Sequence, residues 1–414
     1  MQKKLFWALA LVAMAFSFAA CDDDEGINYA NGSISIDISG VDSSIPTPDS
    51  FTVTITNIGT TVSEEYTTES TSLDVLNVVP GIYDIVVSGV SSYGGSAYIF
   101  VGTAEDVEVL DGATGILATV VMETSKTSAL VFKEVHFNGS MTIATDDAAS
   151  TYYLQDTYFE VYNNGEETVY VDGVCLGNVL SCNTYDFSGQ AENVATGDVD
   201  DYIWIKTYVW QIPGSGSDYP IAPGESFIIA ANAIDHTELA NSIDLTTAEF
   251  ETLCEKYINA GRTDANAINM NLACTISSSG LANQLFSVST EAWALFYPSE
   301  GLRADGEYLA STNYSTTYGQ EILKEDVFDA FEYMPSSKTS DSKRLPSTLD
   351  AGWASTTNYA FTSIYRKTSS ITDDGRYIYQ DTNNTTDDFE YSDEPEIRRN
   401  GANRPSWATW TTVD

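Results

Sequence analysis

Between residues 33 and 38, apolar Ile34, Ile36 and Ile38 alternate with Ser33, Ser35 and Asp37, and between 51 and 55, Phe51, Val53 and Ile55 alternate with Thr52 and Thr54. A period of two sends every apolar side chain to one face, so both segments predict half-buried strands. Residues 76–87 contain a Pro80-Gly81 turn that feeds a strand through Tyr83, Ile85 and Val87. Further strands are predicted at 97–101, 107–110 and 115–122, with Gly94-Gly95 and Asp111-Gly112 as turns. Short strands punctuated in this way predict a β-sandwich over residues 33–124.

A polar patch at 124–127 ends that pattern. Strands are predicted at 130–137 and 158–162, the latter turned by Asn163-Asn164-Gly165 into a hairpin partner at 168–171. Segments 202–205 and 208–210 add strands, and Ala222-Pro223-Gly224 turns the chain into a strand at 227–229. Residues 235–285 read as an insertion with one helical segment, 248–258, where Phe250, Leu253, Cys254, Tyr257 and Ile258 share a face behind Thr246 and Thr247. The expected fold is therefore all-β: two β-sandwich domains, 33–124 and 128–414, the second carrying a small helical insertion at 235–285.

The first 32 residues have a different character. Lys3 and Lys4 precede an apolar run from Leu5 to Ala20, and small Ala19 and Ala20 precede Cys21. This is the layout of a lipoprotein signal peptide over residues 1–20, with Cys21 as the lipidation site. The run falls short of the roughly 20 apolar residues that a membrane span needs, whereas two or more acyl chains on a terminal cysteine make a stable anchor. Asp22, Asp23, Asp24 and Glu25 open an acidic tether over 21–32. Cleavage would remove both signal lysines and leave 16 basic against 60 acidic residues, a net charge of −44. That balance excludes nucleic acid as a partner, because phosphate binding needs a basic footprint.

Several stretches resemble known families. The acidic run after Cys21 is similar to the surface-export signal of Bacteroidetes-type lipoproteins, which implies a lipid-anchored protein of the outer membrane, displayed at the cell surface. The Pro80-Gly81 turn and the aromatic strand after it resemble carboxypeptidase-regulatory-like and related transthyretin-type or Ig-like modules. Residues 132–135, 156–165, 169–176 and 222–224, with Ser363 to Arg366 and Thr386 to Phe389, resemble successive strands of a lamin-tail domain, an Ig-type sandwich. Val174 stands near the position where that family carries tryptophan, and the 235–285 insertion is a second departure. The whole chain resembles an uncharacterised family of Bacteroides surface lipoproteins, a domain of unknown function.

Four cysteines remain in the mature chain, Cys175, Cys182, Cys254 and Cys274. An even number in an exported protein permits two disulfides. The local pairing, Cys175 with Cys182 and Cys254 with Cys274, is the expected one, and buried free thiols are the alternative. The chain has only two histidines, His136 and His236, and no Gly-x-Ser-x-Gly elbow, which argues against a Ser-His-Asp hydrolase. Glu134 and Glu160 stand in predicted strands where alternation could aim both at one face, the minimum for a glycosidase pair. Asp373, Asp374, Asp381, Asp387 and Asp388 crowd a loop-rich stretch and offer the hard oxygen ligands that calcium takes, as do the runs at 146–147 and 198–201. Neither run has EF-hand spacing, so calcium is a weak expectation and a solvated acidic loop the alternative. Trp353, Tyr377 and Trp407 lie in polar segments and are the expected ligand contacts, together with the insertion. The function expected from address and resemblance is non-catalytic: an accessory or ligand-capture lipoprotein beside an outer-membrane transporter. A carbohydrate-active hydrolase and a structural adhesin are the alternatives.

Overall fold

The computed structural model describes residues 29–41, 47–93, 96–127, 129–146, 148–254, 258, 262–277 and 287–410. Cys21, Asp22, Asp23, Asp24 and Glu25 lie outside these residues, as do the Gly94-Gly95 turn, Tyr257 and the last residues of the insertion. The described chain is almost entirely β.

The alternating segments build the first sandwich. Gly32–Ser39 lies between Ser72–Val78, antiparallel, and Ile116–Val121, parallel. The facing sheet runs Ser63–Thr68, Phe51–Asn57, Gly81–Tyr93, Ser96–Val109, Glu123–Thr127. Ile34, Ile36, Ile38, Phe51, Val53, Ile55, Ile85, Val87, Phe100 and Val120 meet between the sheets and are buried. At Gly102 a Cβ would stand 2.6 Å from both a Val120 methyl and the Val121 carbonyl oxygen, so the two sheets approach too closely for any side chain there. Three details differ from the sequence expectation. The segments at 97–101 and 107–110 are one strand that absorbs a bulge near Asp106, whose φ is +57°. The polar patch at 124–127 is itself a strand. Ser63–Thr68 is an edge strand whose wholly polar sequence carries no alternation to announce it.

The second domain packs two larger sheets. The first runs Ile268–Asn269, Phe250–Glu251, Ser226–Ala230, Tyr158–Asn163, Leu130–His136, Ser363–Arg366, Phe389–Ser392. The second runs Leu309–Ala310, Tyr318–Leu323, Tyr202–Gln211, Cys175–Val179, Glu291–Phe296, Val327–Tyr333, with Asn271–Thr275 also paired to Tyr202–Gln211. Phe132, Phe159, Phe227, Ile229, Phe250 and Ile364 from one sheet meet Leu176, Trp210, Trp293, Leu295 and Phe331 from the other.

The predicted hairpin at Asn163-Asn164-Gly165 does not form. Val169–Tyr170 pairs with Pro220–Ile221 instead, and the chain crosses to the second sheet. A two-residue hairpin loop of that type needs positive φ at its centre, and none of these three residues has it. The Asn163 side chain instead accepts from Gly165 N at 3.0 Å and donates to the Glu167 and Ile221 carbonyls at 2.8 Å. The expected helix at 248–258 is likewise corrected in its first half. Phe250–Glu251 is a strand parallel to Ser226–Ala230, with Phe250 in the core. Glu249 and Glu251 on its other face accept backbone N–H groups from Ile228 and Ala233 at 2.9 Å. Alternation over three residues wins over the longer helical spacing because tertiary partners take both faces. The insertion is thus woven into both sheets.

Candidate functional site

Most of the charged groups that the sequence singled out are committed to the fold. Glu134 and Glu160 face each other directly across two antiparallel strands, and a one-residue bulge at Lys133 turns them off the apolar face. Both are fully buried. Glu160 Oε1 accepts from Lys133 Nζ at 2.9 Å and Ser226 Oγ at 2.6 Å, and its Oε2 accepts from Arg398 N at 3.0 Å. Glu134 accepts from Ser363 Oγ at 2.7 Å, Glu396 N at 2.8 Å and Arg399 Nε at 2.9 Å. Glu249 on the same face takes Arg398 and Arg404, each at 2.7 Å. The segment 396–410 is a strap that carries these arginines over a row of carboxylates, closing it to substrate. Neither a water nor a sugar can reach the Glu134–Glu160 pair in this arrangement.

The histidines also converge. His136 Nε2 stands 3.5 Å from Asp156 Oδ2, which accepts from Ser140 and Ser242 hydroxyls at 2.6 Å. His236 lies within electrostatic reach of both, and burial holds its imidazole below the usual histidine range. Its Nε2 donates to the Asn232 carbonyl at 2.8 Å, which leaves Nδ1 to accept from Tyr153 Oη at 2.7 Å. Both serines bond the aspartate and neither bonds an imidazole, so there is no nucleophile-to-base contact of the kind a triad needs. Both histidines are fully buried.

The acidic loop stretch gathers around a guanidinium. Arg366, fully buried, bonds Asp329 at 2.5 Å, Asp381 at 3.1 Å and Asp388 at 3.4 Å. Asp387 accepts from Asn384 Nδ2 at 2.6 Å, Asp374 accepts from the Thr372 hydroxyl, and Asp373 is exposed. The five aspartates therefore do not share one oxygen cage. Among the described residues, no group of three or more His, Cys, Asp or Glu side chains is placed to hold a metal ion.

The three expected ligand-contact aromatics are scattered. Trp407 packs against Tyr219 and Phe250 and donates from Nε1 to the Pro220 carbonyl at 2.9 Å, a plug in the main core. Tyr377 stacks beside Tyr379, and its carbonyl accepts from Tyr162 Oη at 2.8 Å. Trp353 is tied to the Thr386 hydroxyl through its backbone, under the Lys343 ammonium.

All four cysteines are free thiols, which corrects the two expected disulfides. Cys175 opens the extended strand Cys175–Val179, whose length alone carries the chain about 13 Å at about 3.3 Å per residue, and Cys182 lies beyond it in a turn. Cys274 pairs with Val209 in the second sheet and is buried there, whereas Cys254 packs on the core from a different segment. Burial raises the Cys274 thiol to about 11 and pushes Cys175 up as well.

A concavity of about 380 Å³ is lined by Arg303 and Glu321, which pair with each other, and against the second sheet a cleft of about 620 Å³ is also open. The floor of this cleft is apolar: Leu180 packs in one small cluster with Phe187, which stacks on Trp204 at 3.7 Å. Its walls are the loop after Cys175–Val179, the short 3-10 turns Ser188–Asn193 and Val199–Asp201, and the segment near Asn313. The loops are stitched together. Cys182 N donates to the Arg344 carbonyl at 3.0 Å and Ser181 Oγ to the Lys343 carbonyl at 2.8 Å. Asn313 accepts from Asp186 N at 3.0 Å and donates to the Thr184 carbonyl at 2.9 Å. Tyr185, half-buried, meets exposed Tyr314 edge to face at 5.5 Å. Lys324 and Arg344 line the cleft, together with Asp186, Asp198 and Asp200. A preformed, mixed polar and aromatic concavity on tied loops suits binding of a small ligand. Sequence reasoning missed it. Its one advance signal was the scarcity of base: with 18 lysines and arginines in the chain, each is informative.

Among curated proteins none is similar enough to match the chain. A crystal structure of a DUF4876 family protein from Bacteroides thetaiotaomicron is 27% identical, with a TM-score of 0.58, and the alignment covers 91% of this chain and 98% of that one. Residues 222–396, which contain Asn313, Lys324 and Arg344 of the cleft, match the family model described as "Protein of unknown function (DUF4876)".

Proposed function

We propose that this protein is a non-catalytic, lipid-anchored ligand-capture protein of the outer membrane, displayed at the cell surface as an accessory to an outer-membrane transporter. The open cleft carries the capture reading: its walls are preformed by hydrogen bonds between loops. The address rests on Lys3, Lys4, the apolar run and Cys21, with Asp22 to Glu25 as the export signal. The transporter partner follows from that address and from the resemblance to Bacteroides surface lipoproteins. The lamin-tail-like reading of the second domain is supported by the antiparallel pairing of Ser363–Arg366 with Phe389–Ser392. The hydrolase alternative loses its best pair, because Glu134 and Glu160 are sealed beneath the strap.

The test has two arms. Cys21→Ser should abolish labelling by radioactive fatty acid and release the protein from membranes; label retained on the mutant would refute the anchor. The purified full chain, incubated with oligosaccharide and peptide fractions from the growth medium, should retain a fraction and return it unchanged. Chemical turnover of the retained compound would overturn the non-catalytic reading.

A further inference from the structure

Among the described side chains of this acidic chain, most cations are spoken for. Lys133, Lys206, Arg303, Lys343, Arg366, Arg398, Arg399 and Arg404 each stand in an ion pair with a buried or half-buried carboxylate. Lys367 and Arg376 donate to backbone carbonyls, and Arg262 has a partner of its own. Among the described side chains, the cations with neither an ion pair nor a hydrogen bond are Lys324, Lys338 and Arg344. Two of those three line the cleft.

Arg344 carries the sharper signal. Its Nε is buried and has no acceptor. Its neighbour Lys343 turns inward to Glu332 at 3.2 Å, and Arg344 and Leu345 donate their own backbone N–H groups to the same carboxylate at 2.8 and 3.2 Å. Glu332 is thus fully used, and the Arg344 side chain has to look elsewhere. The other carboxylate within its electrostatic reach is buried Glu291, which has Lys206 Nζ 3.5 Å from its Oε1 and no hydrogen bond to that oxygen. A buried donor without an acceptor costs roughly 1–3 kcal/mol, and a water or a ligand group in the cleft would satisfy it. In the same cleft, Asp186 and Asp198 are turned to the N–H groups of Ser188 and Asp200 at 2.8 and 3.0 Å.

Resting on the capture reading, we propose that the cleft binds an acidic sugar residue: a carboxylate held between Lys324 and Arg344, carried on a ring whose flat face lies against Tyr185. A guanidinium offers parallel N–H donors that match a carboxylate, and a lysine adds a point charge. Tyrosine faces take the apolar side of a ring while their hydroxyls stay wet. The remaining exposed polar groups of the wall, Thr184 and Ser188, suit ring hydroxyls.

The experiment is calorimetric titration of the full chain with trigalacturonate, a hyaluronan tetrasaccharide and sialyllactose, each beside its carboxyl-reduced, neutral counterpart. At least one acidic probe should bind saturably, and its neutral counterpart should bind about tenfold more weakly or worse, the loss of a charge-assisted hydrogen bond. Lys324→Gln and Arg344→Gln should weaken the same probe by about tenfold each, and Tyr185→Ala should weaken it too. Lys338→Gln removes the one cation outside the cleft that, among the described side chains, has no ion pair or hydrogen bond, and should leave affinity unchanged. Equal binding of acidic and neutral probes, lost in Tyr185→Ala, would overturn the acidic-group inference and keep sugar capture. Binding unaffected by any cleft variant would overturn the site. No saturable binding by any of the six probes would overturn the sugar-acid assignment, while the medium-fraction test above still decides capture itself.

Discussion

The outer face of the first sheet and the cleft on the second use the same residue types to opposite ends. Beneath the strap, Glu134, Glu160 and Glu249 are buried, and arginines, a lysine and backbone donors saturate them. At the cleft, Lys324 and Arg344 stand without partners. Charge by itself does not mark a site in this molecule; charge left over after the fold has taken its share does. A buried pair that loses one member leaves an uncompensated charge in a low dielectric, whereas a half-exposed unpaired cation has little to lose.

That contrast is sharpest at Arg366, whose one guanidinium contacts Asp329, Asp381 and Asp388. Arg366→Met should destabilise the second domain by about 3–5 kcal/mol, read as a shift in the denaturant midpoint at constant slope. A change under about 1 kcal/mol would break the view that this cluster is structural.

The next effect is a pH dependence. Burial raises the Glu251 carboxyl to about 7, opposed by the N–H groups of Ala233 and Ala265. With a folded-state value above the unfolded one, the native protein binds more protons through the window from about 4.5 to 7, so stability is fullest below it and falls as pH rises. Asp350 is also raised to about 7 and adds to the same slope. Glu251→Gln should remove its own share, roughly 1–3 kcal/mol between the two ends of that window. A slope left unchanged in the variant would show that Glu251 is not its source.

At the cleft the expected change in stability is small. Lys324→Gln should move the unfolding free energy by no more than about 0.5 kcal/mol, in contrast to Arg366→Met in the same assay. A large loss would make Lys324 a structural residue and erase the distinction between the two regions.

The thiols give the finest probe. Denaturing alkylation should modify all four mature cysteines without reductant. In the native protein exposed Cys182 should label first, and buried Cys175 and Cys274 should wait for unfolding. Protection of any pair after denaturation would restore a disulfide.

How far the chain could be read in advance follows from what each pattern depends on. The first sandwich was legible strand by strand because Ile34, Ile36, Ile38, Phe51, Val53 and Ile55 obey a two-residue period that only one sheet face can satisfy. The edge strand Ser63–Thr68 escaped because pairing, not side-chain burial, holds it. In the second domain strands such as 130–137 and 158–162 were legible, but Tyr318–Leu323 and Val327–Tyr333 were not, 202–205 and 208–210 are one strand, and no strand's partners were legible. Asn163-Asn164-Gly165 has hairpin chemistry locally, and the crossover to the second sheet is decided by Ile221, fifty-eight residues further on. The segment 248–258 fits a helix on spacing alone, and Phe250 becomes a strand because the neighbour Ser226–Ala230 offers backbone groups on one side and a core on the other.

By itself the sequence determined the all-β class, the division into two domains and the alternating core of the first, since these depend on composition and on a period of two. Only the tertiary structure decided that Glu134 and Glu160 are sealed, that Arg366 occupies the acidic loops, that His136 and His236 meet around Asp156, and that Lys324 and Arg344 are left facing a cleft. Each of those outcomes is a pairing between groups distant along the chain. A charge reveals its role through its partner, and partners are assigned by the packing of sheets that no local pattern records.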